Sequence, residues 1–431
     1  MPVVARTISR RAARPSSPHA DCRSADTEPA APAYTPSPVP TDTHPTKTDQ
    51  PRDGYRSVHI ADITMFYAPT SGGVRTYLEQ KLRYLAAQAG IRHSVLVPGR
   101  TATRCGAFQC LPAPPLGRTG YRLPLRGERW TRELCQLRPD LIEAGDPYRL
   151  AWAALAAGQR LGVPVVGFYH SDLPRLVDSR FGSGARRMAE RYVRNLYSRF
   201  QAVLAPSRVM ARQLQALGVD AVAVQPLGVD VHQFDPVHAD PDLRSRLGIA
   251  PDTRLLVFAG RAAREKNIPP LLAAAKSLGP AYHLLLIGPA MPRVAHGNVT
   301  VLDGYMPAPL LARHLAACDA LIHAGDRETF GLVVLEAMAS GLPVIGTRAG
   351  ALPELVVPGT GVLTEQVSRD GLVEATRTLF SLDRAAIGRR ARRWAEEHYA
   401  WERTLSSLLG QYRRILSLPA VIASGSSHAG T

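Results

Sequence analysis

Apolar runs of strand length alternate with amphipathic stretches along most of this chain. VHIADITMFY, from Val58, reads as a buried strand. The segment after it, PTSGGVRTYLEQKLRYLAAQAG, predicts a loop and then a helix, because Leu78, Leu82 and Leu85 recur at helical spacing and Gly90 follows as a stop. HSVLVPG is the next strand. PDLIEAG, a helix over about Tyr148–Gln159 and VPVVGFYH predict a strand–helix–strand unit; QAVLAPS, a helix through Leu217 and AVAVQPLGVD predict another. The alternation restarts at TRLLVFAG and continues through a helix at 268–278, HLLLIG, a short NVTVLDG strand, a helix at 308–317 and ALIHAG. An apolar helix opened by Phe330 and Gly331, the strands LPVIGTRAG and Gly361–Leu363, and a final helix from about Arg403 to Leu416 complete the series. Strands alternating with helices imply parallel sheets covered on both faces, an α/β, doubly wound architecture.

At 431 residues the chain is longer than one hydrophobic core usually organises. The turn-rich PLGVDVHQFDPVHADPDL between the two series places a boundary near Phe234. Two Rossmann-like domains are therefore expected, 56–233 and 234–400, followed by a helix at 401–417. Residues 1–55 are rich in Pro, Ser, Thr and Ala, and residues 418–431 are small and polar; both are expected to be disordered. The basic start, with Arg6, Arg10, Arg11 and Arg14, reads either as a targeting or membrane-contact tail or as an extension without a role. No charged start with an apolar core resembles a signal peptide, and no apolar run reaches the roughly 18 residues of a bilayer span. Five scattered cysteines suit a reducing compartment, so a cytoplasmic protein is expected.

Candidate chemistry gathers at the predicted strand ends, where open α/β sheets bind ligands. In GDRETFGLVVLEAMA, Glu328 and Glu336 stand eight positions apart around Phe330–Gly331. On one continuous helix that spacing is just over two turns, so both carboxylates would face the same way. The bland reading is two exposed helix charges; the apolar neighbours argue against it, because a carboxylate among them needs a partner. A free helix N-terminus beside them suits phosphate or sugar oxygens. Gly72 and Gly73 form either a tight turn or a close approach to phosphate, and they make no G-x-G-x-x-G dinucleotide fingerprint. Gly260 and Arg261 end a strand, and Lys266 follows; two solvated loop charges or a diphosphate grip both fit. His170 ends VPVVGFYH, where Asp172 could simply hydrogen-bond it. The only D-x-D, Asp240–Pro241–Asp242, lies in the linker and reads as a helix cap before Leu243, so no metal site is expected.

SGGVRTY, FYHSD, APS, PLGVDVHQFDP, FAGRAAREKN, LLLIG and the glutamate motif, in this order from about Val58 to Arg414, resemble the retaining glycosyltransferases of family 4. The resemblance implies the GT-B fold, with two Rossmann-like domains facing a central cleft and a last helix crossing back onto the first. It implies that Arg261 and Lys266 grip the donor diphosphate and that His170 touches the donor sugar. Glu328 would take sugar hydroxyls and Glu336 the ribose. Backbone at Gly72, Gly73, Gly260, Phe330, Gly331 and Leu332 would bind the donor, and Tyr305 would frame the base. No cofactor beyond the nucleotide-sugar co-substrate is implied. FYHSDLPR and GDRETFG are most similar to the lipid and glycolipid hexosyl- or mannosyltransferases, which implies GDP-mannose or a UDP-hexose as donor and a lipid, glycolipid or glycan acceptor.

Two other classes stay open at this level. A nucleotide-sugar 2-epimerase shares the fold and needs no acceptor. The net charge of +16 also admits a non-catalytic nucleic-acid or membrane binder, although no nucleic-acid motif is present and no such partner is expected. Residues 121–212 hold 16 arginines, no lysine and 8 acidic residues. Within them GARRMAERYVRNLYSRF sets Ala185, Ala189, Tyr192, Leu196 and Phe200 on one stripe flanked by arginines. That is either a core helix with a solvated basic face or a surface for anionic lipid headgroups.

Overall fold

The computed structural model describes residues 57–68, 72–117, 120–294 and 296–417. The expectations for residues 1–55 and 418–431 lie outside these. In the first half, β1 (Val58–Ile63), α1 (Gly73–Ala86), β2 (Ile91–Gly99), β3 (Thr103–Cys105) and β4 (Phe108–Pro112) are followed by α2 (Gly127–Leu137) and β5 (Leu141–Ala144). Then come α3 (Arg149–Leu161), β6 (Val165–Phe168), α4 (Leu173–Tyr197), β7 (Ala202–Ala205), α5 (Arg208–Ala216) and β8 (Val222–Val224). Their sheet runs β3-β4-β2-β1-β5-β6-β7-β8, parallel except for β3. The β3–β4 hairpin and α2 were not legible in the sequence: the strands are short and joined at Gly106, and the arginines of α2 read as surface charge although Trp130 and Leu134 bury.

The second half contains α6 (Leu243–Leu247), β9 (Arg254–Ala259), α7 (Ile268–Leu278), β10 (Tyr282–Gly288), β11 (Val299–Asp303), α8 (Ala308–Ala316) and β12 (Ala320–His323). After these follow α9 (Leu332–Ala339), β13 (Val344–Thr347), α10 (Leu352–Leu355), β14 (Gly361–Thr364), α11 (Arg369–Ser381) and α12 (Arg384–Tyr399). Its sheet is parallel, in the order β11-β10-β9-β12-β13-β14. The central strands β9 and β10 are largely apolar and, after the exposed Arg254 that opens β9, buried, because helices cover both faces. Chain order reverses between β1 and β5 in the first sheet and between β9 and β12 in the second. These switch points are where crevices open at strand carboxyl ends.

The halves are joined twice at one place. Val229 donates to Tyr399 O and Trp401 donates back to Val229 O, so the outgoing and returning chains are stapled together. From there α13 (Trp401–Leu416) returns to the first half. Its Tyr412 hydroxyl accepts from the buried Lys81 ammonium (2.6 Å) and donates to Glu143. Lys81 also pairs with Asp62 at 2.7 Å and Glu143 at 3.1 Å, so every charge in this interior cluster has a partner. One hydrophobic cluster accordingly runs from Ile60 and Tyr77 through Phe234 to Leu321 and Val334, and includes Trp401 and Tyr412.

Candidate active site

The loop after β9 and the loop after β12 meet at the second switch point. Lys266 sits in a single 3-10 turn, and Asn267, left-handed at φ 51°, follows it; its Nδ2 donates to Ala324 O at 2.9 Å and ties the two loops together. This carries the Lys266 ammonium onto Glu328. Burial alone would raise the Glu328 pKa, but the Lys266 ammonium beside it holds it well below the usual carboxylate range. The pair lines a cavity of about 460 Å³ between the halves, with His170, Asp172, Arg175 and Arg264 on its other walls.

Glu328 and Glu336 are not two faces of one helix. The helix α9 starts only at Leu332, because Gly331 (φ 98°) breaks the chain into a left-handed cap, so Glu328 belongs to the loop. The two carboxylates live in different environments. The Glu336 carboxylate makes no hydrogen bond or ion pair among the described residues, and burial pushes its pKa up to about 7. Phe330 buries its ring near Tyr399, with centroids 6.1 Å apart. The N–H groups of Phe330, Gly331 and Leu332 have no acceptor among the described residues, leaving donors at the positive end of α9.

A second helix start meets this one from the first half. A Cβ on Gly73, the first residue of α1, would stand 2.8 Å from Leu332 Cδ1, so the glycine permits a close approach across the cleft. Gly72 faces open space. Gly260 (φ 145°) does need glycine, and a Cβ on Gly288 of the next strand would overlap the Gly260 carbonyl. Arg261 is exposed and has no hydrogen bond or ion pair among the described residues, and it does not line the cavity with Lys266. Arg264 donates to Ser179 O at 3.0 Å across the cleft. Tyr305 is 43% exposed at the carboxyl end of β11, the edge strand, close enough to influence Arg75 of α1.

His170 follows the end of β6 and stacks flat on Phe168, with ring centroids 4.0 Å apart. Burial, then the Lys81 ammonium, push its pKa down to about 3, so the imidazole is neutral at ordinary pH. Asp172 does not hydrogen-bond His170: it caps α4 by accepting Arg175 N–H at 3.2 Å and pairs with the Arg175 side chain. Asp242, expected to cap the helix before Leu243, makes no side-chain cap; Asp240 accepts its N–H and pairs with Arg246. Among the described residues no group of three or more His, Cys, Asp or Glu could hold a metal.

Several contributors escaped the sequence reading. Ser207 donates to Thr329 O at 2.8 Å, Thr329 reaches His170 O, and Glu354 accepts the Arg208 and Val209 N–H groups at the start of α5 at 2.7 and 2.8 Å. These bonds bridge the halves beside the cavity. Ser207 lay within the APS motif, but only tertiary structure reveals its partner. A larger cavity, about 610 Å³, lies elsewhere, against Trp152, Tyr148 and Tyr192 of the first half. Its charged lining is Glu128 and Arg149, with no lysine–carboxylate pair.

Two doubly wound halves, with a lysine–carboxylate pair and two helix starts converging on the cleft between them, make a site suited to a phosphorylated, hydroxyl-rich ligand. Residues 71–233 match the sequence profile of Glycosyltransferase Family 4, and residues 240–400 match that of Glycosyl transferases group 1. The chain is 34% identical over 286 residues to a GDP-mannose-dependent alpha-mannosyltransferase of Mycolicibacterium smegmatis, covering 64% of this chain and 74% of that one. It is 29% identical to the GDP-mannose-dependent alpha-(1-6)-phosphatidylinositol dimannoside mannosyltransferase of Mycobacterium tuberculosis, over 82% of this chain and 95% of the relative. Among solved structures, sucrose-phosphate synthase from Thermosynechococcus elongatus superposes with a TM-score of 0.67 at 20% identity, covering 83% of this chain and 99% of that one. The chain belongs to the family 4 glycosyltransferases of GT-B fold, in the mannosyl and glycolipid subgroup. It is a hexosyltransferase that works from a nucleotide sugar.

Proposed function

We propose that the protein moves a mannosyl group from GDP-mannose, with retention of configuration and without a metal, to a hydroxyl of a lipid or glycolipid acceptor. The Lys266–Glu328 pair in the interdomain cavity carries the reading. Lys266 supplies positive charge where the departing diphosphate gains negative charge, and the unpaired N–H groups before α9 add to it. Glu328 stays ionised to accept sugar hydroxyls. The neutral His170 contacts the sugar as a hydrogen-bonding group. No carboxylate is free to act as a nucleophile at Glu328 or Asp172, since each is bound to a cation. In this proposal retention comes from attack on the face of the leaving group, whose phosphate oxygen takes the acceptor proton as the glycosidic bond breaks.

The GDP-mannose dependence of the relatives supports the donor. The surface of α4 supports the acceptor and a peripheral place on the cytoplasmic face of an anionic membrane. Ala189, Val193, Leu196 and Tyr197 bury, whereas Leu176, Phe181 and Met188 are 51, 71 and 70% exposed among Arg180, Arg186, Arg187 and Arg191. Leu176 also lines the cavity, so the apolar patch adjoins the reaction space. Apolar side chains among arginines suit an anionic bilayer surface. Among the described residues no helix is long and apolar enough to cross a membrane.

The test is incubation with GDP-mannose, UDP-glucose or ADP-glucose, with phosphatidylinositol-containing vesicles and with or without EDTA, followed by NMR of the product. An α-mannosyl lipid formed equally in EDTA is the expected result. A β-linked product removes retention, loss in EDTA removes metal independence, and a free epimerised sugar identifies an epimerase.

A further inference from the structure

Resting on the donor role proposed for Lys266 and Glu328, we infer that His323 is a positioning residue that takes over Glu328 when Lys266 leaves it for the donor diphosphate. His323 ends β12 and is fully buried. Its Nδ1 accepts the Gly325 N–H at 3.1 Å, which leaves the proton on Nε2 in the neutral ring. Phe258, 5.8 Å away between centroids, borders the ring on another side.

Nε2 lies 3.2 Å from Glu328 Oε1, yet the N–H is out of line and makes no hydrogen bond there or elsewhere among the described residues. The same oxygen is occupied by the Lys266 ammonium. One acceptor atom thus faces two donors, and only one of them is satisfied. A buried N–H without a partner is rare enough in a folded protein to require an explanation.

The two donors differ in freedom. Lys266 lines the cavity on a flexible stem and can turn toward a diphosphate. His323 cannot follow, because it is enclosed and held through Nδ1. Once Lys266 turns away, Glu328 is a poorly exposed charge short of one donor, and a small rotation of its carboxylate brings Oε1 into line with Nε2–H. Gly325 makes the juxtaposition possible: a Cβ there would stand 2.5 Å from His323 Cε1 and 3.2 Å from Glu328 Oε1. Glu328 then remains ionised and oriented in both states, and its other oxygen is free for the sugar.

Inorganic pyrophosphate, titrated into the full-length protein with 15N-labelled histidine, tests this without any sugar or base. The His323 signal is assigned by its absence in His323→Gln. On binding, the His323 Nε2–H resonance is expected to move downfield as its hydrogen bond straightens. Binding with an unmoved resonance overturns the inference and leaves the donor site standing; no binding of pyrophosphate removes the Lys266 role and the inference with it. Kinetics supply an independent arm. His323→Leu is expected to lower kcat about 10-fold or more with little change in the donor KM, and His323→Gln, which keeps an N–H near the Nε2 position, to recover most of it. Equal loss in both variants marks a packing role, and wild-type rates in both remove any role; either result overturns the inference.

Discussion

Glu328 and Glu336 show how a loop and the helix that follows it hold two carboxylates in opposite electrostatic environments. Lys266 holds Glu328 ionised, whereas burial without a partner raises the Glu336 pKa to about 7. Lys266→Ala is expected to reduce kcat by about 10²-fold or more if the ammonium stabilises the leaving diphosphate. A near-normal single-turnover rate would remove that role. Ribose hydroxyls donate best to an ionised carboxylate, so GDP should bind more tightly as pH rises through about 7, with Glu336→Ala weakening it about tenfold and Glu336→Gln losing the pH dependence. Titration calorimetry at about pH 6 and pH 8 checks this. Stability runs the other way. A carboxyl whose folded pKa is raised keeps a proton that the unfolded chain has released. The ligand-free protein therefore has this contribution in full below the ordinary carboxylate range and loses it as pH rises through about 7.

At the scale of elements, α13 reaches a charged interior through one hydroxyl, beside a hydrogen bond from its Gln411 to Gln225 of the first half. Tyr412 joins Lys81 of α1 to Glu143 of β5 and so ties the last helix to the first sheet. Tyr412→Phe leaves both charges buried and each short of one hydrogen bond, at an expected cost of about 1–3 kcal/mol. A melting temperature unchanged from wild type would show that this bridge is not needed. The helix stripe of α4 was partly legible beforehand: Ala189 and Leu196 do bury, and Phe200 buries although it lies past the helix end. The kink at Gly182, which accompanies the exposed Phe181, left no periodic signal. Phe181→Ser is expected to weaken co-sedimentation with anionic vesicles while leaving GDP affinity unchanged; unaltered co-sedimentation removes α4 from membrane contact.

In the whole molecule the cleft is held by few bonds. Glu354 caps α5 from the opposite half, and Ser207 and Thr329 extend that link to His170. Glu354→Ala should loosen the halves in the ligand-free enzyme and enlarge the radius of gyration in solution scattering, with GDP reversing part of the change. A scattering profile identical to wild type would show that Glu354 does not hold the cleft. The sequence by itself determined the alternating elements, the two parallel sheets and the strand ends that carry His170, Arg261, Lys266 and Glu328, because apolar periodicity and glycine punctuation are local properties of the chain. Tertiary structure decided which of those residues meet. It brought Lys266 onto Glu328 while leaving Arg261 exposed, separated Glu328 from the α9 helix, and supplied His323, Ser207 and Glu354 from distant segments. The physical reason is that an ion pair, a cap or a buried N–H acquires its energy from a partner in space, and no spacing along one chain records which partner that is.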